Sequence, residues 1–224
     1  MIAIALILGP PAAEAQDLAR ALDLLQRQDY ERAVPMLRSL AEAGDANAQA
    51  YYGGLFLVGI GGIPYDLATA RSWLQRSAAG GNPTAAFNLG VMAEKGDGMP
   101  ADPGEAFRWY RQAAAGGVPT AMVKVGKAYH DGLGVGTNLT EAANWLRPAA
   151  GAGDPDAQNL LALMIAKHET SGTAADAYAW FLIAAKAGQP DAAGNQALLR
   201  PQLSGTELAE AERTAERWRP TGAQ

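Results

Sequence analysis

One phrase returns through this chain on a fixed beat: a Gly, a Pro or Asp close behind it, then an Ala. It reads Gly81-Asn82-Pro83-Thr84-Ala85, Gly117-Val118-Pro119-Thr120-Ala121, Gly153-Asp154-Pro155-Asp156-Ala157 and Gly188-Gln189-Pro190-Asp191-Ala192. An earlier copy, Gly44-Asp45-Ala46-Asn47-Ala48, lacks the Pro. The closing Ala falls at 48, 85, 121, 157 and 192, in steps of 37, 36, 36 and 35. A second landmark keeps the same time: Trp73, Trp109, Trp145 and Trp180, each eight residues before the next copy's Gly, with Met36 in that slot before Gly44. A period in the mid-thirties that two independent landmarks share is the signature of a helical solenoid. The composition agrees. Of 224 residues, 49 are Ala and 26 Gly, which suits helices packed at close range and excludes an all-β chain.

Each unit reads as two helices. The first opens with Pro in its first turn (Pro83, Pro119, Pro155, Pro190), where a missing N–H costs nothing. Five residues past the Ala stands a small residue, Gly53, Gly90, Gly126 or Ala162. Glycine inside a helix is unfavourable, so its return in unit after unit predicts backbones in close contact there. A Gly-x-Gly loop follows (Gly59-Ile60-Gly61, Gly96-Asp97-Gly98, Gly132-Leu133-Gly134). The second helix then starts at Asp66, Asp102, Asn138 or Thr173, with Glu105, Glu141 and Asp176 placed to complete capping boxes. It carries an Ala three before each Trp and ends at Gly80-Gly81, Gly116-Gly117 or Ala187-Gly188. The Trp residues read as packing residues in the inner slot of this helix.

Leu89-Gly90, Gly96-Asp97-Gly98, Asp102, Ala106, Trp109-Tyr110 and Ala113-Ala114-Ala115-Gly116 together resemble the Sel-1-like repeat, a relative of the tetratricopeptide repeat. The resemblance covers roughly residues 30 to 200. It implies an all-α fold: a right-handed αα-hairpin superhelix (solenoid) of about four repeats with helical caps. It also implies a role as an adaptor or scaffold in protein complexes, often in the bacterial envelope. The fourth unit departs from the pattern. Lys167-His168-Glu169-Thr170-Ser171-Gly172 replaces the Gly-x-Gly loop, one residue shorter, which predicts a different turn. Cysteine-rich relatives with reported β-lactam binding are no guide here, since this chain has no Cys and no Ser-x-x-Lys.

The expected organisation is a signal peptide over 1–15, capping helices over 16–44, and repeats over 45–81, 82–117, 118–153 and 154–188. A partial repeat over 189–200 and a C-terminal capping helix and tail over 201–224 complete it. The signal-peptide reading rests on the apolar run Ile2 to Leu8, the break at Gly9-Pro10-Pro11, and the small-x-small site Ala13-Glu14-Ala15 before Gln16. No Lys or Arg precedes the run, so a cytoplasmic solenoid with an N-terminal cap stays open beside a periplasmic or secreted one. Asp17 to Gln28 reads as an opening helix and Asp29-Tyr30 as the start of its partner. Ser204-Gly205-Thr206-Glu207 reads as a capping box before a polar last helix onto which Trp218 packs.

Chemistry is sparse. The absence of Cys removes thiolate metal sites and cysteine nucleophiles, and two histidines make a metal site or cofactor unexpected. A net charge of −5 argues against nucleic acid, and no segment is long enough to span a membrane. His130-Asp131 and Lys167-His168-Glu169 are acid–base candidates without a placed partner, so no catalytic residue is assigned. The Gly-x-Gly loops join helices and lack the Lys-Ser/Thr of a phosphate loop.

One face of the first helices varies from unit to unit, and the concave side of a solenoid usually holds its partner. That face predicts a partner-binding groove of Tyr51, Phe87, Asn88, Val91, Lys95, Lys124, Lys127, His130, Asn159, Leu163 and Lys167. Four of the five lysines fall on it, a local reversal of charge in an acidic chain. The expected partner is a protein or peptide with an acidic stretch, bound without catalysis. The alternative is a cell-wall glycan-binding module or hydrolase-associated factor, for which Tyr51 and Phe87 are the groove's aromatics.

Overall fold

The computed structural model of the chain describes residues 12–221. These are all-α and fall into two compact units, divided between Ala101 and Asp102. The first unit holds α1 (Ala12–Gln26), α2 (Tyr30–Ala43), α3 (Ala46–Val58), α4 (Leu67–Ala79) and α5 (Pro83–Lys95). The second holds α6 (Pro103–Ala115), α7 (Pro119–Asp131), α8 (Leu139–Gly151), α9 (Pro155–Ala166), α10 (Ala174–Lys186) and α11 (Ala192–Leu199). A 3-10 turn (Arg200–Gln202) and α12 (Gly205–Arg217) follow. Within each unit every helix packs on the next in the chain, except that α12 folds back onto α10. None of the described helices is long and apolar enough to cross a membrane.

The starts follow side-chain capping. Asp29, Asp45, Asp66, Asn82, Asp102, Asn138, Asp154, Thr173 and Ser204 each accept a backbone N–H from the first turn of their helix. The hydroxyl and N–H of Thr69 hold the Asp66 carboxyl below the ordinary carboxylate range, and the N–H and hydroxyl of Ser204 do the same for Glu207. Reciprocal capping boxes form at Thr173/Asp176 and Ser204/Glu207. At Asp102 the expected partner is diverted: the Glu105 carboxylate instead accepts the indole N–H of Trp109. The last first-type helix also differs, since Pro190 lies outside it. The Gln189 side chain takes the N–H groups of Asp191 and Ala192, and α11 starts at Ala192. The opening helix starts earlier than expected, so that Ala13-Glu14-Ala15 falls in the first turn of α1. The apolar run Ile2 to Leu8 lies outside the described residues.

The glycine slot is where paired helices meet. A Cβ on Gly53 would stand 3.0 Å from the Trp73 Cβ and 3.3 Å from the Ala70 carbonyl oxygen. On Gly126 it would stand 2.7 Å from the Leu146 Cγ and 3.3 Å from the Ala142 carbonyl oxygen. In each Gly-x-Gly loop both glycines have positive φ. The second glycine seats against the first residue of the preceding second-type helix: Gly61 on Tyr30, Gly98 on Leu67, Gly134 on Pro103. The fourth unit turns differently, as its sequence predicts. His168 takes the left-handed conformation (φ 59°), disfavoured by about 1 kcal/mol for a residue with a Cβ. The loop is held by Arg147, whose guanidinium donates to the Thr170 and Ser171 hydroxyls.

The inner slot of the second-type helix is not the Trp but the residue after it. Leu37, Leu74, Tyr110, Leu146 and Phe181 are buried, while Trp73, Trp109, Trp145 and Trp180 are half-buried. One residue is about 100° of helical rotation, enough to move a side chain from the centre of an interface to its rim. At the rim the indoles use their polar edge and face. Trp73 packs edge-on to Tyr52 and lies under the Arg76 guanidinium, 4.8 Å from ring to cation. The core of the first unit gathers Leu37, Leu40, Tyr52, Leu55 and Phe56; that of the second gathers Leu146, Leu161, Met164, Tyr178 and Phe181. Each fully buried Leu contributes about 2 kcal/mol. The Tyr178 hydroxyl accepts from Gln196 and Arg200, which ties α11 to α10. Past α12, Trp218 packs on Trp180 and the Thr221 N–H donates to the Gly151 carbonyl.

Two glycines of similar sequence context should respond in opposite directions. Gly126→Ala forces a methyl into Leu146 and should lower stability by about 1–3 kcal/mol. Gly54→Ala, in α3 with nothing within 4 Å of the new Cβ, should raise it by about 0.5–1 kcal/mol. Urea unfolding followed by circular dichroism measures both; equal responses would refute the close-contact account.

Candidate functional site

Burial assigns the faces of the first-type helices. Counting from the repeat Ala, the buried slots are the Ala itself and the positions four, five and seven later, as in Ala85, Leu89, Gly90 and Met92, or Ala157, Leu161, Ala162 and Met164. That is the stripe of an amphipathic helix. In α3 and α9, slots between them open into a cleft against the neighbouring first-type helix of the same unit. In the first unit Asn47, Tyr51 and Gly54 of α3 face Thr84 and Asn88 of α5, with Leu25 of α1 at the side, around about 400 Å³. In the second unit Asn159 and Leu163 of α9 face Asp191, just before α11, and Asn195 and Leu198 of α11 around about 640 Å³.

A carboxamide pair bridges each cleft. The Asn82 Nδ2 donates to the Asn47 Oδ1 at 2.8 Å, and the Asn195 Nδ2 to the Asn159 Oδ1 at 3.0 Å. Another recurrent amide lies one residue after the repeat Ala. Gln49 donates to the Ala41 carbonyl and Gln158 to the Ala150 carbonyl, each satisfying the end of the preceding helix. Sequence reading missed the pairs because Asn82 reads as a cap and Asn195 lies in the partial repeat. Two Asn residues about one period apart on adjacent first helices are the signal that finds them.

The predicted site residues separate into exposed, half-buried and spent. Tyr51 is 47% exposed, and Lys95, Lys127 and Lys167 are exposed. Phe87, Asn88, Val91 and Leu163 are half-buried. Asn159 is buried, and its amide oxygen is already taken by Asn195. Lys124 is half-buried, with its ammonium 5.6 Å from the Tyr110 ring centroid. His130 stands between two carboxylates, its Nδ1 2.6 Å from Asp131 and its Nε2 3.1 Å from Glu169. A protonated ring donates to both, and a neutral one to a single partner. The imidazole thus joins the end of α7 to the loop after α9. The residues Tyr51, Phe87, Asn88, Val91 and Lys95 belong to the first unit, and Lys124, Lys127, His130, Asn159, Leu163 and Lys167 to the second.

Comparison with known proteins agrees with this architecture. The Sel1 repeat profile matches residues 46–82, 83–118 and 119–154. A solved protective antigen of uropathogenic Escherichia coli strains with an SLR fold is 26% identical at a TM-score of 0.78, over 92% of this chain and 45% of its own length. A Sel1 repeat protein from Oxalobacter formigenes is 34% identical at 0.68, over 75% of this chain and 49% of its own. This chain therefore spans about half the length of these two structures. An immunity protein from Pseudomonas aeruginosa, 21% identical at a TM-score of 0.50 over 84% of this chain and 71% of its own, shares the fold. No curated protein matches the chain.

The buried carboxamide pair should couple its two helices measurably. Asn159→Ala leaves the Asn195 amide without its acceptor and should cost about 1–2 kcal/mol. A double-mutant cycle with Asn195→Ala should return a coupling of about 0.5–1.5 kcal/mol, and strict additivity would show that the pair holds nothing.

Proposed function

Because the chain belongs to the Sel1 repeat family, we propose that it is a non-catalytic protein-interaction scaffold or regulatory adaptor of the bacterial periplasm, holding a partner segment with an acidic stretch. Sel1 repeats generally mediate protein interactions. The observation that carries the partner's charge is the placement of lysine. Lys95 closes α5, Lys124 and Lys127 lie in α7, and Lys167 caps the end of α9, in a chain whose net charge is −5. Ordinary placement of Lys at helix C-termini accounts for Lys95 and Lys167 but not for the α7 pair. In the second unit, Lys124, Lys127 and Lys167 attract an acidic segment at long range and hold it in a salt-dependent way. The non-catalytic reading is supported by the surroundings of His130, whose two ring nitrogens are both occupied by carboxylates that join helix to loop. The periplasmic reading is supported by the Ala13-Glu14-Ala15 site behind an apolar run.

Exposure decides which lysines test this. Lys124 leans on Tyr110, so its replacement would disturb packing as well as charge. Lys127 and Lys167 are exposed. The double variant Lys127→Glu/Lys167→Glu should keep its helicity and melting temperature. Crosslinking pulldown from envelope fractions should recover a partner with the wild type and lose it with the variant, with affinity falling about tenfold and with added salt. Binding that ignores both the substitutions and salt would refute the acidic-partner reading. N-terminal sequencing of the chain from the envelope fraction should begin at Gln16, and recovery of the intact Met1 start from the cytoplasm would refute the localisation.

A further inference from the structure

The two clefts occupy the same place in the repeat yet differ in chemistry. In the second unit the cleft contains the carboxylate of Asp191 and the side chain of Leu198, 76% exposed. In the first unit no lining residue carries a charge. Its polar groups are the carboxamides of Asn47, Asn82 and Asn88, the Thr84 hydroxyl and the Tyr51 phenol. Asn82 is spent, its oxygen on the Ala85 N–H and its amide on Asn47. The Asn47 Nδ2, both amide atoms of Asn88, the Thr84 hydroxyl and the Tyr51 hydroxyl have no hydrogen-bond partner among the described residues. Tyr51 is 47% exposed, and Leu25 and Leu55 supply an apolar wall. The volume of about 400 Å³ lies within the range of small-ligand sites.

We infer that this cleft is a binding site for a neutral carbohydrate, taking one or two pyranose residues of an oligosaccharide between Tyr51 of α3 and Asn88 of α5. A pyranose offers hydroxyls that donate and accept at once, which suits carboxamides that present a donor and an acceptor side by side. Its C–H face is apolar and weakly positive, which suits the negative face of a tyrosine ring. It carries no charge, in agreement with a charge-free lining, since a charged ligand would lose its hydration there without a counter-ion. An extended peptide main chain presents a row of N–H and C=O groups along each edge and asks for a continuous groove, whereas Leu25 of α1 stands at the side of this cleft. The inference is independent of the acidic-partner reading, which rests on lysines outside the cleft.

The test uses the full ¹⁵N-labelled chain and three separate probes, chitotriose, cellotriose and maltotriose, with acetyl-(Ala-Gly)₃-amide as the peptide probe. At least one trisaccharide should shift the side-chain amide signals of Asn47 and Asn88 with a Kd of about 1 mM. Tyr51→Ala and Asn88→Ala should each weaken that binding about tenfold or more while keeping the wild-type melting temperature. Lys127→Glu/Lys167→Glu should leave it unchanged, so that loss of the acidic partner and loss of the sugar are read separately. Absence of any shift at about 20 mM sugar overturns the inference. So does binding that survives Tyr51→Ala, and so does a response to the peptide probe in place of the sugars.

Discussion

The approach of two helix backbones at one small-residue slot is the contact on which the rest of this molecule depends. At Gly126 there is no room for a Cβ against the partner helix and at Gly53 one would be tightly crowded, and Ala142 and Ala70 present their carbonyls at the same contacts. Helices this close leave little space between them, so the core is lined with Ala. Single larger residues, Leu74, Leu146 and Phe181 among them, fill what remains. The spacing of the landmarks follows. A unit supplies one such slot, one tight loop (with two left-handed glycines in the first three units) and one capped return helix, and this takes about 36 residues.

The same contact decides which residues remain free to bind. Once the Ala and the slots four, five and seven after it are buried, a first-type helix has one face left, and in α3 and α9 that face opens against the next first-type helix of the same unit. Fold conservation places no demand on it. It can therefore carry Tyr51 and neutral carboxamides in one unit, and lysines in another, without disturbing the repeat. The Asn47–Asn82 and Asn159–Asn195 pairs lie at the edge of that freedom, since they brace the cleft and line it.

The fourth unit shows how the pattern tolerates a lapse. Without a Gly-x-Gly loop, the chain leaves α9 through His168 in a left-handed turn, with the N–H groups of His168 and Glu169 returned to the Ile165 and Met164 carbonyls. Side chains from α7 and α8 then hold the loop, His130 through Glu169 and Arg147 through Thr170 and Ser171. Backbone geometry that glycine supplies locally elsewhere is supplied here by tertiary hydrogen bonds.

The repeat, the pairing of helices, the caps at Asp66, Asp102, Asn138, Thr173 and Ser204 and the close contacts at Gly53 and Gly126 were legible in the sequence, whereas the capping boxes expected at Glu105 and Glu141 did not form. Each legible feature depends on local backbone chemistry that recurs at a fixed spacing: Pro83 suits the first turn of a helix, Asp66 caps one, and Gly126 stands mid-helix where the partner helix leaves no space for a side chain. The variable face was legible too, because a period of 3.6 assigns faces without coordinates. Other features depended on contacts between residues far apart in the chain. Periodicity put Trp in the inner slot, yet the next residue fills it, because a rotation of one residue is set by how the neighbouring helix packs. Asn159 and Lys124 counted as open groove positions until tertiary structure placed one against Asn195 and the other on Tyr110. Sequence determined which residues the repeat leaves variable. Only the tertiary structure decided which of those still have unspent hydrogen bonds or free charge, because that depends on the neighbour each side chain meets.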